Sequence, residues 1–222
     1  MLVWLASYPR SGNTFVRIVL NDIFGLRTRS TGAGDAPVFS PHPGVIEAVG
    51  HVDDFSASPD WIAHARASDD IHIVKTHEPA LTDDPAIYIV RDGRSAIVSY
   101  YHYIRDVESQ PVSMNAVIDG DVYAGSWSEH FVTWDPLRRP QTLLLRYEDI
   151  ANDHAALIGS LEGFLGVARK TSATRSFASL HTIFPSFFRK GDDAANIAEA
   201  EPYMPRIIER HGGVLRDLGY LT

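Results

Sequence analysis

Between Tyr8 and Phe15 the chain reads Tyr-Pro-Arg-Ser-Gly-Asn-Thr-Phe. Arg10 carries a planar, permanently charged guanidinium. Gly12 lets the backbone approach a ligand closely. Ser11, Asn13 and Thr14 offer short polar side chains. An apolar run precedes this stretch and an amphipathic one follows, so it reads as a turn from a strand into the first turn of a helix. Free backbone N–H groups at such a turn point at an anion, and the helix dipole adds roughly half a positive charge there. The chemistry is phosphate binding. The plain alternative is a strand-to-helix turn that needs one glycine. The standard nucleotide loop G-x-x-x-x-G-K-[ST] is absent, because there is one glycine here and the basic residue precedes it.

The elements around this turn follow from periodicity. Leu2–Ala6 reads as a buried strand. Phe15, Val16, Val19, Leu20, Ile23 and Phe24 recur at three- and four-residue spacing, which predicts a helix over Thr14–Phe24 with Gly25 as its stop. Residues 27–60 read as loop with a short helix near Val45–Val49. Ile71–Lys75 is a second strand, ending at Thr76-His77-Glu78-Pro79. Ala86–Val90 is a third, ending at Arg91-Asp92 and leading into a helix over 94–104. Residues 106–124 read as irregular and Trp127–Trp134 as helical. Thr142–Leu145 is a fourth strand, ending at Arg146-Tyr147-Glu148-Asp149. Further helices are expected at 153–165, 171–181 and 201–211.

Wholly apolar strands alternating with helices predict an α/β fold, a parallel sheet covered on both faces in three layers. Ligands of such sheets bind outside the carboxyl ends of the strands. Arg10, Lys75 with His77, Arg91 and Tyr147 stand at four such ends, and together they make an anion site.

The 222 residues suffice for one domain, 1–222, with a sizeable core. Hydrophobic residues at 45% and charged residues at 22% are ordinary for a soluble protein. A net charge of −8 argues against a general nucleic-acid binder. The absence of cysteine excludes disulfide and thiolate chemistry. No signal-peptide pattern and no apolar run of about 18 residues is present, so a cytoplasmic protein without membrane attachment is expected. The ten histidines show no metal-ligand spacing such as H-E-x-x-H, and no metal is expected.

Five segments, in order, resemble the sulfotransferases that use 3′-phosphoadenosine-5′-phosphosulfate (PAPS). Tyr8–Phe15 is similar to the family's 5′-phosphosulfate loop, and Lys75-Thr-His-Glu-Pro79 to its K-T-H-x-P segment. Tyr88–His102 is similar to its 3′-phosphate segment and Arg146-Tyr-Glu-Asp149 to its Y-E-D segment. Phe188-Arg-Lys-Gly191 is similar to the start of its R-K-G loop. The chain departs from the pattern where Arg10 replaces lysine and Phe15 replaces tryptophan. It departs again where Asp192-Asp-Ala-Ala-Asn196 follows Gly191. The family's serine between Y-E-D and R-K-G matches either Ser176 or Ser179.

The resemblance implies a P-loop NTPase-like fold and transfer of a sulfuryl group from PAPS to a hydroxyl or amine of a small molecule or glycan. It implies His77 as general base, with Lys75 and Arg10 stabilising charge. The 5′ side of the donor would be held by Arg10, Ser11, Gly12, Asn13 and Thr14, with Phe15 where the family's tryptophan stacks near the adenine. Its 3′-phosphate would be held by Arg91, Ser99, Arg189, Lys190 and Gly191, with Tyr147 near the adenine. Simpler readings remain for some: Lys75 in a salt bridge, Tyr147 as a core tyrosine. Trp127, Trp134, Tyr100 and Tyr101 have spacings that suit core packing. Two other functions compete. A P-loop kinase or NTPase would need a lysine after the glycine and a Mg²⁺ carboxylate. A non-catalytic nucleotide-binding module would not need to keep both Lys75 and His77.

Overall fold

The computed structural model describes residues 1–31, 43–54, 58–171, 175, 182 and 193–221. Six strands form one sheet: β1 (Leu2–Ser7), β2 (Thr28–Ser30), β3 (His51–Asp54), β4 (His72–Thr76), β5 (Ala86–Val90) and β6 (Thr142–Arg146). Their order is β3-β2-β4-β1-β5-β6, and every pairing is parallel. The α/β architecture with helices on both faces is therefore as the strand pattern implies.

The apolar strands are apolar because both faces are covered. Along β1, Trp4 and Ala6 enter one core together with Tyr88, Val90, Trp127 and Trp134. Val3 and Leu5, one residue out of phase, enter the other with Val16, Leu20, Ile87, Ile89 and Leu161. The period of two divides each strand between the two layers. Trp127, Trp134 and Tyr100 are buried, in keeping with their spacing, and Tyr101 is half-buried.

Helix α1 (Asn13–Val19) continues through a π-helical turn, Leu20–Phe24, and stops at Gly25 in the left-handed region. Helix α2 spans Pro43–Val49 and α3 spans Pro59–Ala67. Helix α4 (Gly93–Asp106) leaves the end of β5, capped by Asp92, which accepts from Arg94 N–H at 3.0 Å. Then follow α5 (Met114–Asp119), α6 (Trp127–Trp134), the single turn α7 (Tyr147–Ile150) and α8 (His154–Leu165). The chain closes with α9 (Asp193–Ala200), a 3₁₀ turn at Glu201–Tyr203, and α10 (Met204–Asp217).

Five elements differ from expectation. Strands β2 and β3 lie where loop was expected, α3 lies where no helix was expected, α5 sits inside the stretch read as irregular, and α9 precedes the last expected helix. The expected helix over 171–181 falls almost wholly outside the described residues, as do Ser176, Ser179, Arg189, Lys190 and Gly191.

Candidate active site

All six strands run the same way, so their carboxyl ends share one rim. The register carries this to individual residues. Ala6 pairs with Thr76, and Ser7 pairs with Ile89. One step past Thr76, His77 stands beside Ser7. Its Nδ1 lies 2.6 Å from the Ser7 carbonyl. A carbonyl only accepts, so Nδ1 carries the proton. The turn behind His77 is fastened. Glu78 N–H donates to Thr76 Oγ1 at 3.0 Å, and Trp134 Nε1–H donates to Glu78 O at 2.9 Å. Lys75, two residues before His77, is buried in β4, and its carbonyl accepts from Thr31 N–H at 3.0 Å.

A buried imidazole lies behind this turn. His130 Nδ1 is 2.8 Å from the Tyr88 hydroxyl. Burial holds the Tyr88 phenol protonated, so the hydroxyl donates. Burial also pushes His130 down to about 3, with the His77 backbone pulling weakly the other way. His130 is therefore held neutral well below the ordinary histidine range.

The turn after β1 carries backbone strain. Gly12 caps α1 at φ 103°, and a Cβ there would meet Tyr147 Cδ2 at 2.7 Å. Arg10 adopts φ 65° without being glycine, a conformation that costs about 1–2 kcal/mol. Its guanidinium lies over the Tyr103 ring at 5.3 Å, and its Nε is 3.3 Å from Ser99 Oγ. Ser11 Oγ is buried with no partner among the described residues. Asn13 turns inward, its amide donating to Leu5 O and Ser7 Oγ, both at 3.2 Å. Thr14 is half-buried in the first turn of α1. Phe15 packs against the His154 ring with 5.0 Å between centroids.

Arg91 is fixed on every side. Its Nη1 donates to Arg10 O at 2.8 Å, and its face lies 4.5 Å from the Tyr147 ring centre. Its remaining edge donates to Asp193 Oδ1, from Nε at 2.9 Å and Nη2 at 2.5 Å. The following turn is held by Glu148, whose carboxylate accepts from Asp92 N–H at 2.8 Å and from the Tyr220 hydroxyl at 2.9 Å.

The structure thus brings Arg10, His77, Arg91 and Tyr147 to one rim, with Lys75 one strand position behind. Ser99 Oγ meets the Nε of Arg10, whose own carbonyl accepts from Arg91, and Ser95 shares the carboxylate held by Arg91. Glu148, Ser95 and Asp193 escaped sequence reasoning. Glu148 carried a signal, a carboxylate at a strand end beside three cations. Asp193 carried none, because its partner is 102 positions away. Among the described residues, no group of three or more histidines and carboxylates is placed to hold a metal. Among them, too, no helix is long and apolar enough to cross a membrane.

A family model described as "Sulfotransferase domain" matches residues 2–190. Sulfotransferase 1A1 of Bos taurus is 30% identical over 185 residues, covering 73% of this chain and 58% of that protein. Sulfotransferase 1A1 of Mus musculus is 27% identical over 181 residues, covering 74% and 59%. The chain therefore spans just under three fifths of the length of these relatives. Among solved structures, mouse sulfotransferase SULT7A1 complexed with PAP superposes with a TM-score of 0.64 at 19% identity, covering 97% of this chain and 86% of that one. Retinol dehydratase in a complex with retinol and PAP gives 0.65 at 18%, covering 97% and 81%. At these identities the structures establish the shared fold.

Proposed function

The chain belongs to the sulfotransferase domain family, and on that premise we propose that it transfers a sulfuryl group from PAPS to a hydroxyl or amine of a small-molecule or glycan acceptor. The observation that carries this reading is the rim itself. Three neighbouring strands, β4, β1 and β5, deliver a proton acceptor and two guanidinium groups to one edge of the sheet.

The residues fit the donor substrate. Ser11 Oγ is a buried hydroxyl without a partner among the described residues, a state that costs about 1–3 kcal/mol and is relieved by a phosphate oxygen accepting its proton. Gly12, Asn13 and Thr14 would offer backbone N–H groups at the start of α1. The Asn13 side chain is engaged with β1, so it serves the loop's shape. Arg91, Ser99 and the R-K-G residues Arg189, Lys190 and Gly191 would hold the 3′-phosphate, with Tyr147 and Phe15 beside the adenine.

In the transfer, the acceptor oxygen attacks sulfur while its proton passes to His77 Nε2. The bond from sulfur to the bridging oxygen breaks, and its electron pair stays on the 5′-phosphate of adenosine-3′,5′-bisphosphate (PAP). Arg10 and the N-terminus of α1 stabilise the charge that grows there, and Lys75 adds a second cation. The loose transition state places most of the work on positioning and charge.

The test is transfer of ³⁵S from labelled PAPS to a panel of phenols, alcohols, amines and glycans, with PAP measured in parallel. Labelled product with matching PAP is expected for at least one class. No PAP above the blank with any acceptor overturns the reading.

A further inference from the structure

One carboxylate already occupies the cationic seat at the start of α4. Asp193 Oδ1 accepts from Arg91 Nε and Nη2 and from the Ser95 hydroxyl. Three donors converge on a single oxygen. Asn196, one turn along α9, donates to Ser95 Oγ at 3.0 Å. Glu199, a turn further, meets His102 Nε2 at 2.9 Å. Helix α9 thus lies along α4 through three polar side chains at three-residue spacing, and the carboxylate is at the end nearest the rim.

The two partners differ in freedom. The Arg91 side chain is 5% exposed and locked by Arg10 O and Tyr147. The Asp193 side chain is 35% exposed. The seat is rigid and its occupant can leave for water. A carboxylate brings one negative charge to the seat, whereas a phosphate monoester brings close to two and has three oxygens for the same donors.

We propose that Asp193 is a specificity-determining residue, a tethered anion that fills the seat beside Arg91 and yields only to a ligand carrying a phosphate monoester at that position. The proposal rests on the PAPS reading above and deepens it. An uncharged 3′-hydroxyl does not displace the carboxylate. A 3′-phosphate does, and it pays for the exchange in affinity. The observed dissociation constant is the intrinsic one divided by the fraction of molecules with the seat open. Removing the charge of Asp193 opens the seat and must tighten 3′-phosphate binding selectively.

Calorimetry of PAP and AMP binding to the wild-type chain and to D193N, D193A and E199Q tests this. D193N and D193A are expected to bind PAP at least tenfold more tightly than wild type, with AMP affinity changed less than twofold. E199Q loosens α9 without touching the seat, and its PAP-to-AMP ratio should stay at the wild-type value. Unchanged or weaker PAP binding in both Asp193 variants overturns the proposal and leaves the PAPS reading standing. An E199Q gain equal to that of D193N overturns it too, since helix loosening then accounts for the effect. Failure of all four proteins to bind PAP overturns the donor assignment, and this proposal with it.

Discussion

The His77 imidazole and the Ser7 carbonyl lie 2.6 Å apart across 70 positions of sequence. The bond joins the end of β4 to the end of β1, so the imidazole is anchored to the strand that leads into the Arg10 turn. It places a proton on Nδ1, and under the proposed mechanism Nε2 is the nitrogen that takes the acceptor's proton.

His77→Ala should therefore lower turnover by about 10²–10⁴-fold, the usual loss on removing a general base. PAP affinity should change little, because the role is confined to the acceptor proton. Single-turnover kinetics with calorimetry separate the two, and a variant keeping a tenth of wild-type chemistry counts against the role.

Arg91 donates from three nitrogens and stacks on Tyr147 with its face. Lysine offers a point charge and can reproduce neither the fork nor the stack. Arg91→Lys is expected to lose at least tenfold of the preference for PAP over AMP, since each charge-assisted hydrogen bond is worth about 1.5–3 kcal/mol. A preserved preference would place the 3′-phosphate elsewhere.

Arg10 holds a left-handed backbone at φ 65° that glycine adopts freely. Arg10→Gly should leave the chain as stable as wild type or more so, by about 1 kcal/mol, while turnover falls at least tenfold. Arg10→Lys should recover much of the rate, since it restores a cation. Urea unfolding and steady-state assays on the same samples check both. Full activity in Arg10→Gly would remove the guanidinium from the mechanism.

Burial pushes His211 down to about 4 and His130 to about 3. Both values lie below the ordinary 6.5, so between those limits the unfolded chain binds more protons than the folded one. Stability then rises with pH across that window, is complete above about 6.5, and is lost as pH falls toward 4. His211 lies 2.8 Å from Ser128 Oγ, and its Nε2–H donates to Ile118 O at 2.9 Å. Its share of the loss is about 3 kcal/mol. His211→Gln should flatten the stability–pH profile between pH 4 and 6.5, read by urea unfolding. An unchanged slope would contradict the assignment.

Sequence legibility tracked burial. β1 and β5 are almost wholly apolar runs because helices cover both faces, and α4 and α8 show helical spacing for the complementary reason. β2 and β3 are only three and four residues long and carry Arg29, His51 and Asp53, so periodicity has too little length to register. Arg10, His77 and Arg91 were visible as charged residues terminating apolar strands. What local pattern could not supply was pairing between distant segments. The Arg10–Ser99 contact spans 89 positions, and the carboxylate beside Arg91 and Ser95 comes from 102 positions away.

The parallel order β4-β1-β5 acts as a ruler. Neighbouring strands are held about 4.8 Å apart by main-chain hydrogen bonds. The intervals between His77, the Arg10 turn and Arg91 are therefore set largely by peptide groups that every amino acid possesses. A rim substitution that leaves the backbone in place, such as Arg10→Lys, changes side-chain chemistry while the strand spacing stays as it is.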